Sequence, residues 1–298
     1  MKGDFKRAFV PYIYIIPALL FMFLFVMIPI LLSVVMSFFK VQSLTAAWEF
    51  VGFGNFAGAF KNSEFLSAMG RTLMFGAFST VTTLIFGLLL AILVSNHKFL
   101  NFYRYIFYLP SVVSAVTMGR LWGLMLMPSD SGLINKFLMT MGLKSPVNWL
   151  GDPNITYLVI MGIGLVGCGG GMTLLLFTTA INNIPGELSE AARLEGAGPF
   201  AYAVKITIPM INGVITSWLI LSIIGAFKSF EFIYSLTGGG PAKSTNTIAI
   251  LLYEASKTSA SGYGYSAAMG LILTLIVCIF TFGYMCFSNF NKASDIEN

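Results

Sequence analysis

The chain has 298 residues, of which 57% are apolar and only 10% charged. A water-soluble globule carries about 25% charged residues, so this composition leaves too few to cover a soluble surface. The net charge of +5 is dispersed, with no long basic run and no interleaved aromatic and basic patch. It is therefore read as setting membrane topology rather than as binding nucleic acid. With one histidine and 12 acidic residues, no Ser-His-Asp set, paired catalytic carboxylates or glycine-rich phosphate loop is evident, and the chain is read as non-enzymatic. Cys168, Cys278 and Cys286 lie in apolar stretches without metal-ligand spacing. Neither a disulfide frame nor a metal centre is expected.

In chain order, Lys2, Lys6 and Arg7 precede an apolar run that mimics a signal peptide. The run is too long for such a peptide and shows no small-residue cleavage site, so it is read as a retained helix. Six stretches are uncharged or nearly so: 10–39, 73–94, 105–127, 155–180, 206–227 and 267–287. Each is long enough to cross a hydrocarbon core of about 30 Å at about 1.5 Å per residue. The fold class is an all-α membrane protein of six transmembrane helices, forming a single domain over residues 1–298. In the first stretch, Pro11 ends an approach segment, Pro17 suits a first turn, and Pro29 is placed to kink the outer third. The run Gly167-Cys168-Gly169-Gly170-Gly171 in the fourth stretch permits either close helix packing or a break that lines a cavity. With both termini inside, Lys and Arg are roughly twice as dense in the inside segments as in the outside ones, as the positive-inside rule requires. The connections are too short to house a nucleotide-binding fold.

None of the six stretches contains Asp or Glu, which counts against a proton-coupled carrier. Arg120 is the one clear charge within a stretch, two residues before Trp122. It either snorkels to the interface or faces a cavity, paired with an acid such as Glu231. Lys228 and Glu231 sit at helical spacing, suited to a pair at the outer mouth. Asn212, Trp218, Ser222 and Tyr234 offer the hydrogen bonds and stacking faces that sugars use, although such side chains in membrane helices also face lipid or core. His97 is read as a loop residue.

The most informative segment lies between the fourth and fifth stretches. It reads Glu190-Ala191-Ala192-Arg193-Leu194-Glu195-Gly196-Ala197, then eight residues, then Ile206-Thr207-Ile208-Pro209. Pro185 marks a helix start, and residues 189–194 are mostly strong helix formers. Gly196 suits the left-handed turn that ends a helix. Residues 200–205 begin a second short helix, and Pro209 falls in the first turn of the next crossing. The expectation is a helix–turn–helix knob over residues 184–205, standing off the membrane.

This pattern resembles the EAA loop of the membrane subunits of ATP-binding-cassette importers. It departs only at Glu195, where Asp is usual, and at Ile208, where Leu is usual. A second stretch runs from Phe230-Glu231-Phe232 to Gly238-Gly239-Gly240-Pro241, followed by Ser244-Thr245-Asn246-Thr247. Together with Tyr14 to Leu20, Ile28-Pro29, Ser37-Phe38, Gly54-Asn55-Phe56, Arg104, Leu109-Pro110 and Gly132 to Asn135, it is similar to carbohydrate importer permeases of the maltose-transporter type. The resemblance implies that the knob docks into a groove on a cytoplasmic ATPase subunit. Ala191 and Ala192 would let it seat closely, Gly196 would make the turn, and Glu190 would give a charge-assisted contact.

The resemblance also implies the partners: a second homologous permease, two ATPase subunits that hold ATP–Mg, and an extracellular or periplasmic solute-binding protein. The glycine-rich loop is then either a simple turn or part of the external mouth that meets the binding protein. No cofactor is expected in this chain. The expected location is the cytoplasmic (inner) membrane of a prokaryotic cell, and the expected cargo is a sugar or oligosaccharide. A phosphorylated polyol or a polyamine as cargo, an ATP-independent secondary transporter or channel, and a membrane scaffold without transport are the other readings.

Overall fold

The computed structural model describes residues 14–43, 45, 47–167, 170–227, 230–257 and 262–294. Lys2, Lys6, Arg7, Pro11, Cys168, Gly169 and Lys228, all named above, lie outside them. In chain order the first helices are α1 (Tyr14–Met36), α2 (Gly54–Lys61), α3 (Ser63–Ser95), α4 (Leu100–Val112) and α5 (Ala115–Met125). Then follow α6 (Leu133–Thr140), α7 (Pro153–Gly167), α8 (Gly170–Asn182), α9 (Gly186–Leu194) and α10 (Pro199–Tyr202). The last are α11 (Asn212–Phe227), α12 (Phe230–Thr237), α13 (Ile248–Lys257) and α14 (Gly262–Ser294). A two-stranded antiparallel hairpin, β1 (Phe39–Lys40) and β2 (Glu49–Phe50), lies between α1 and α2. The backbone forms two compact units, Met1–Leu66 with Leu251–Leu275, and Ser67–Ile250 with Ile276–Asn298.

In the first unit, α1 carries a π turn over Phe23–Met27, in which the Ile28 N–H bonds the Phe23 carbonyl five residues back. Pro29 follows at once. A proline ring in a regular helix collides with the carbonyl four residues earlier, and widening the turn moves that carbonyl aside. Beyond the helix, Asn55 Nδ2 donates to the carbonyls of Ser37 (2.8 Å) and Phe39 (2.9 Å), tying α2 to the segment that leaves α1. Phe38, Phe53 and Phe56 pack around this tie with ring centroids 5.4–5.7 Å apart. The Tyr263 N–H bonds the Val41 carbonyl at 2.6 Å, which brings the start of α14 to the same place.

In the second unit, one apolar cluster is built on Phe75, Ile160, Phe232, Ile233 and Ile250, and another on Ala91, Leu174, Phe177, Ile211, Ile215 and Trp218. Helix α5 packs on α12, and α4 packs on α8. A Cβ on Gly171 would collide with the Phe107 carbonyl oxygen, so the α4–α8 crossing is a backbone-to-backbone contact that only glycine admits. For Gly171 the glycine run therefore serves close packing. Nearby, Arg104 Nε donates to Thr178 Oγ1 at 2.8 Å across the same helix pair.

Several sequence-based boundaries are corrected. The second stretch begins about ten residues earlier than expected, at Ser63, because Asn62 Oδ1 caps the helix through the Glu64 N–H (2.9 Å). The stretch 105–127 is not one helix. Pro110 falls inside α4, the chain turns extended at Val113, and Ser114 caps α5 by accepting from the Thr117 N–H at 3.3 Å. The stretch 155–180 is helical on either side of residues 168 and 169, as α7 and α8, and the connections after the first, third and fifth stretches hold α2, α6 and α13. Among the described residues, α1, α3, residues 212–237 (α11 and α12) and Gly262–Cys286 of α14 are long and apolar enough to cross a membrane, while α7 and α8 are shorter apolar helices. Large apolar side chains stand on the outside of these helices, among them Phe25 (70% exposed), Leu93 (74%) and Ile279 (70%). A surface of that kind is stable against lipid rather than water.

Candidate functional site

Helix α9 opens after Pro185, with Glu187 in its first turn and Arg193 in its last, each placed favourably for the helix dipole. Its end is closed by two bonds, Gly196 N–H to the Arg193 carbonyl (3.0 Å) and Ala197 N–H to the Ala192 carbonyl (2.9 Å). This is a Schellman closure, and it needs a left-handed residue, which Gly196 supplies with φ +78°. The short helix α10 then runs into a second π turn, Ala203–Thr207, which contains the half-buried Ile206. Here the Ile208 N–H bonds the Ala203 carbonyl, and Pro209 follows. The chain turns again at Ile211 before α11 begins.

Consecutive helical residues point about 100° apart, and the two alanines of the motif divide accordingly. Ala192 is buried and faces a cavity of about 310 Å³ that also touches Ser95, Asn96, Ser189 and Thr207, whereas Ala191 is exposed. Glu190, Glu195 and Gly196 are exposed and Ala197 is half-buried. Two large apolar side chains stand beside them in the open, Leu194 (89% exposed) and Phe200 (82%). The sequence reading did not single these out. An apolar residue breaking the polar face of a short helix was the available signal.

A second cavity, of about 450 Å³, lies among α3, α5, α7, α8, α11 and α12. Of the candidate path residues it brings together Trp218, Ser222 and Glu231. Trp218 is buried against Phe177, with ring centroids 5.8 Å apart. Ser222 Oγ donates to Thr80 Oγ1 at 3.4 Å. Ser79, Thr83 and Thr173 also line the space, and these three were missed. The i, i+4 spacing of Ser79 and Thr83 within an apolar helix would have pointed to those two. The volume is within the range of about 300–1,000 Å³ usual for small-molecule pockets.

The other candidates lie elsewhere. Asn212 is exposed at the start of α11. Trp122 and Tyr234 pack against the apolar cluster around Phe75 and Phe232, and Tyr234 stacks on Phe230 at 5.0 Å. Arg120 is exposed on α5 and forms no ion pair with Glu231 among the described residues. In the glycine-rich loop, Gly238 and Gly239 have φ of +60° and +90°, and a cis peptide joins Gly240 to Pro241. Thr245 holds the turn closed, with its Oγ1 donating to the Gly240 carbonyl (2.8 Å) and its N–H to the Gly239 carbonyl (3.2 Å).

Residues 83–288 match a family described as "Binding-protein-dependent transport system inner membrane component". A protein named "Probable ABC transporter permease protein YurN", from Bacillus subtilis, is 31% identical over 291 residues, covering 96% of this chain and 98% of its own length. The "Trehalose/maltose transport system permease protein MalF" of Thermococcus litoralis is 30% identical over 292 residues, covering 98% and 97%. Among solved structures, a chain of a bacterial ABC transporter involved in the import of the acidic polysaccharide alginate superposes with a TM-score of 0.81 at 22% identity, covering 96% of this chain and 97% of that one. At that identity the likeness is one of fold.

Proposed function

The chain belongs to the family of binding-protein-dependent transport system inner membrane components, and from that premise we propose that it is the permease subunit of an ATP-binding-cassette importer. It forms half of the pathway for a sugar or oligosaccharide handed over by an external binding protein. Six crossings are assigned to α1, α3, the broken pair α4 and α5, the pair α7 and α8, α11 with α12, and α14. Both termini then lie inside. The α9–α10 knob lies in the cytoplasm, and Gly238 to Pro241 lie outside, where the binding protein docks.

The observation that carries this reading is the knob. Its turn is closed by backbone bonds around Gly196, and it exposes Leu194 and Phe200 beside Glu190 and Glu195. Large apolar side chains displayed next to charges suit a docking anchor with a polar rim. The partner assigned to it is a cytoplasmic ATPase subunit that holds ATP–Mg, so this chain needs no cofactor of its own. A second permease supplies the other half of the pathway. The sugar assignment is supported by the similarity to the trehalose/maltose permease along nearly the whole chain. Trp218 and the hydroxyls of Ser79, Thr83 and Ser222 in the larger cavity also suit a sugar.

Glu190→Lys and Phe200→Asp test the docking in cells that express the full transporter. Both variants are expected to reach the membrane, to lose the co-purifying ATPase, and to lose sugar uptake. Retained ATPase with uptake at the unsubstituted level would refute the assignment.

A further inference from the structure

Among the described residues, the larger cavity is lined by apolar side chains, the hydroxyls of Ser79, Thr83, Thr173 and Ser222, and a single ionisable group, the carboxyl of Glu231. No Lys, Arg or His among the described residues lines it. Among the described residues, nothing forms an ion pair with Glu231, whose side chain is exposed.

From this we infer that the cavity selects its cargo by charge: it admits uncharged or amino-bearing sugars and disfavours sugars that carry a carboxylate or phosphate, with Glu231 as the specificity-determining residue. The inference rests on the sugar-importer reading and deepens it. In a space walled by apolar side chains, Coulomb interactions are screened far less than in water. An anionic sugar would have to give up hydration while facing a like charge, with no cation among the described lining residues to offset it. A neutral sugar meets hydroxyls for hydrogen bonds and the Trp218 side chain for packing, and an ammonium group would gain from the carboxylate. The similarity to an alginate importer does not argue otherwise, because it is a likeness of fold. The same charge logic separates a plain sugar from a phosphorylated polyol, which composition and motifs alone left open.

The test reads the field inside the cavity directly. Ser222→Cys is introduced into a chain in which Cys168, Cys278 and Cys286 are replaced by serine, and the chain is assembled with its partner subunits. The introduced thiol is reacted with a cationic trimethylammonium-ethyl thiosulfonate and with an anionic sulfonato-ethyl thiosulfonate. Each rate is divided by that of a free thiol in solution. The cationic reagent is expected to be favoured by about tenfold, and adding Glu231→Gln is expected to reduce the preference to within about twofold. A normalised ratio near one before that change, a ratio unmoved by Glu231→Gln, or no labelling by either reagent would overturn the inference. Uptake of a neutral oligosaccharide by the unsubstituted complex is measured in parallel. Its absence would sink the importer reading itself, while the labelling ratio reports separately on the charge selection.

Discussion

In α1 and in the stretch that joins α10 to α11, an Ile-Pro pair follows a π turn: Phe23–Met27 before Ile28 and Pro29, and Ala203–Thr207 before Ile208 and Pro209. In both, the residue before the proline bonds a carbonyl five back, and the carbonyl that would meet the proline ring is carried aside. The surroundings differ. Helix α1 resumes at once and runs unbroken to Met36, with no residue of its most apolar part buried. After Pro209 the helix lasts only to Met210, and Ile211 turns out of it with φ −94° and ψ 8°. A π turn alone reroutes one hydrogen bond and leaves the axis continuous. A π turn followed closely by a second break makes a joint, and this joint lies between the α9–α10 knob and the helix that carries Trp218 and Ser222.

The largest expected effect comes from deleting one residue of each π turn. Loss of Val204 rotates the knob by about 100° relative to α11, and sugar uptake is expected to fall below about 5% with the chain still in the membrane. Deleting Val26 turns only the lipid-facing start of α1, and more than about half of the uptake should remain. Equal losses would mean that the two turns do the same work. Next comes Gly196→Val, which forces a β-branched residue to φ +78°. Left-handed strain of about 1–2 kcal/mol should reduce ATPase co-purification by about tenfold. The smallest effect is expected from the prolines. Pro209→Ala lets the π turn relax towards a regular helix and should reduce uptake by about two- to threefold, whereas Pro29→Ala should leave it unchanged within error. A larger loss from Pro29→Ala would reverse the comparison.

Much of the knob was legible because its determinants are local. A helix-forming run, a glycine three residues after an alanine–arginine pair, and a proline at a fixed distance specify a turn without reference to the rest of the chain. The apolar stretches were legible for the same reason, since length and composition alone mark a helix able to cross a membrane, and among the described residues four helical segments meet that measure. The break at Ser114 was not. Apolarity continues through it, and the cue was a proline four residues earlier combined with a cap that works only once the helix has ended. The cavity was the least legible feature. Trp218, Ser222 and Glu231 were singled out for their chemistry, but Thr173 reaches the same space only because α8 packs there. Trp122 and Tyr234, chosen on the same grounds, are held in the apolar cluster instead. Nothing in the spacing of an aromatic residue tells which side of its helix will find a void.

The crossing at Gly171 carries a mechanical consequence. Where two helices are separated by side chains, they can slide, because rotamers absorb small displacements. Here the Gly171 position meets the Phe107 carbonyl with no side chain between, and Arg104 fastens α4 to α8 a little further along. Such a contact behaves as a pivot. It allows α4 and α8 to rock about the crossing but resists translation of one past the other. Motion applied at one end of the pair would then arrive on the far side of the pivot reversed in direction, so a closing at one end becomes an opening at the other.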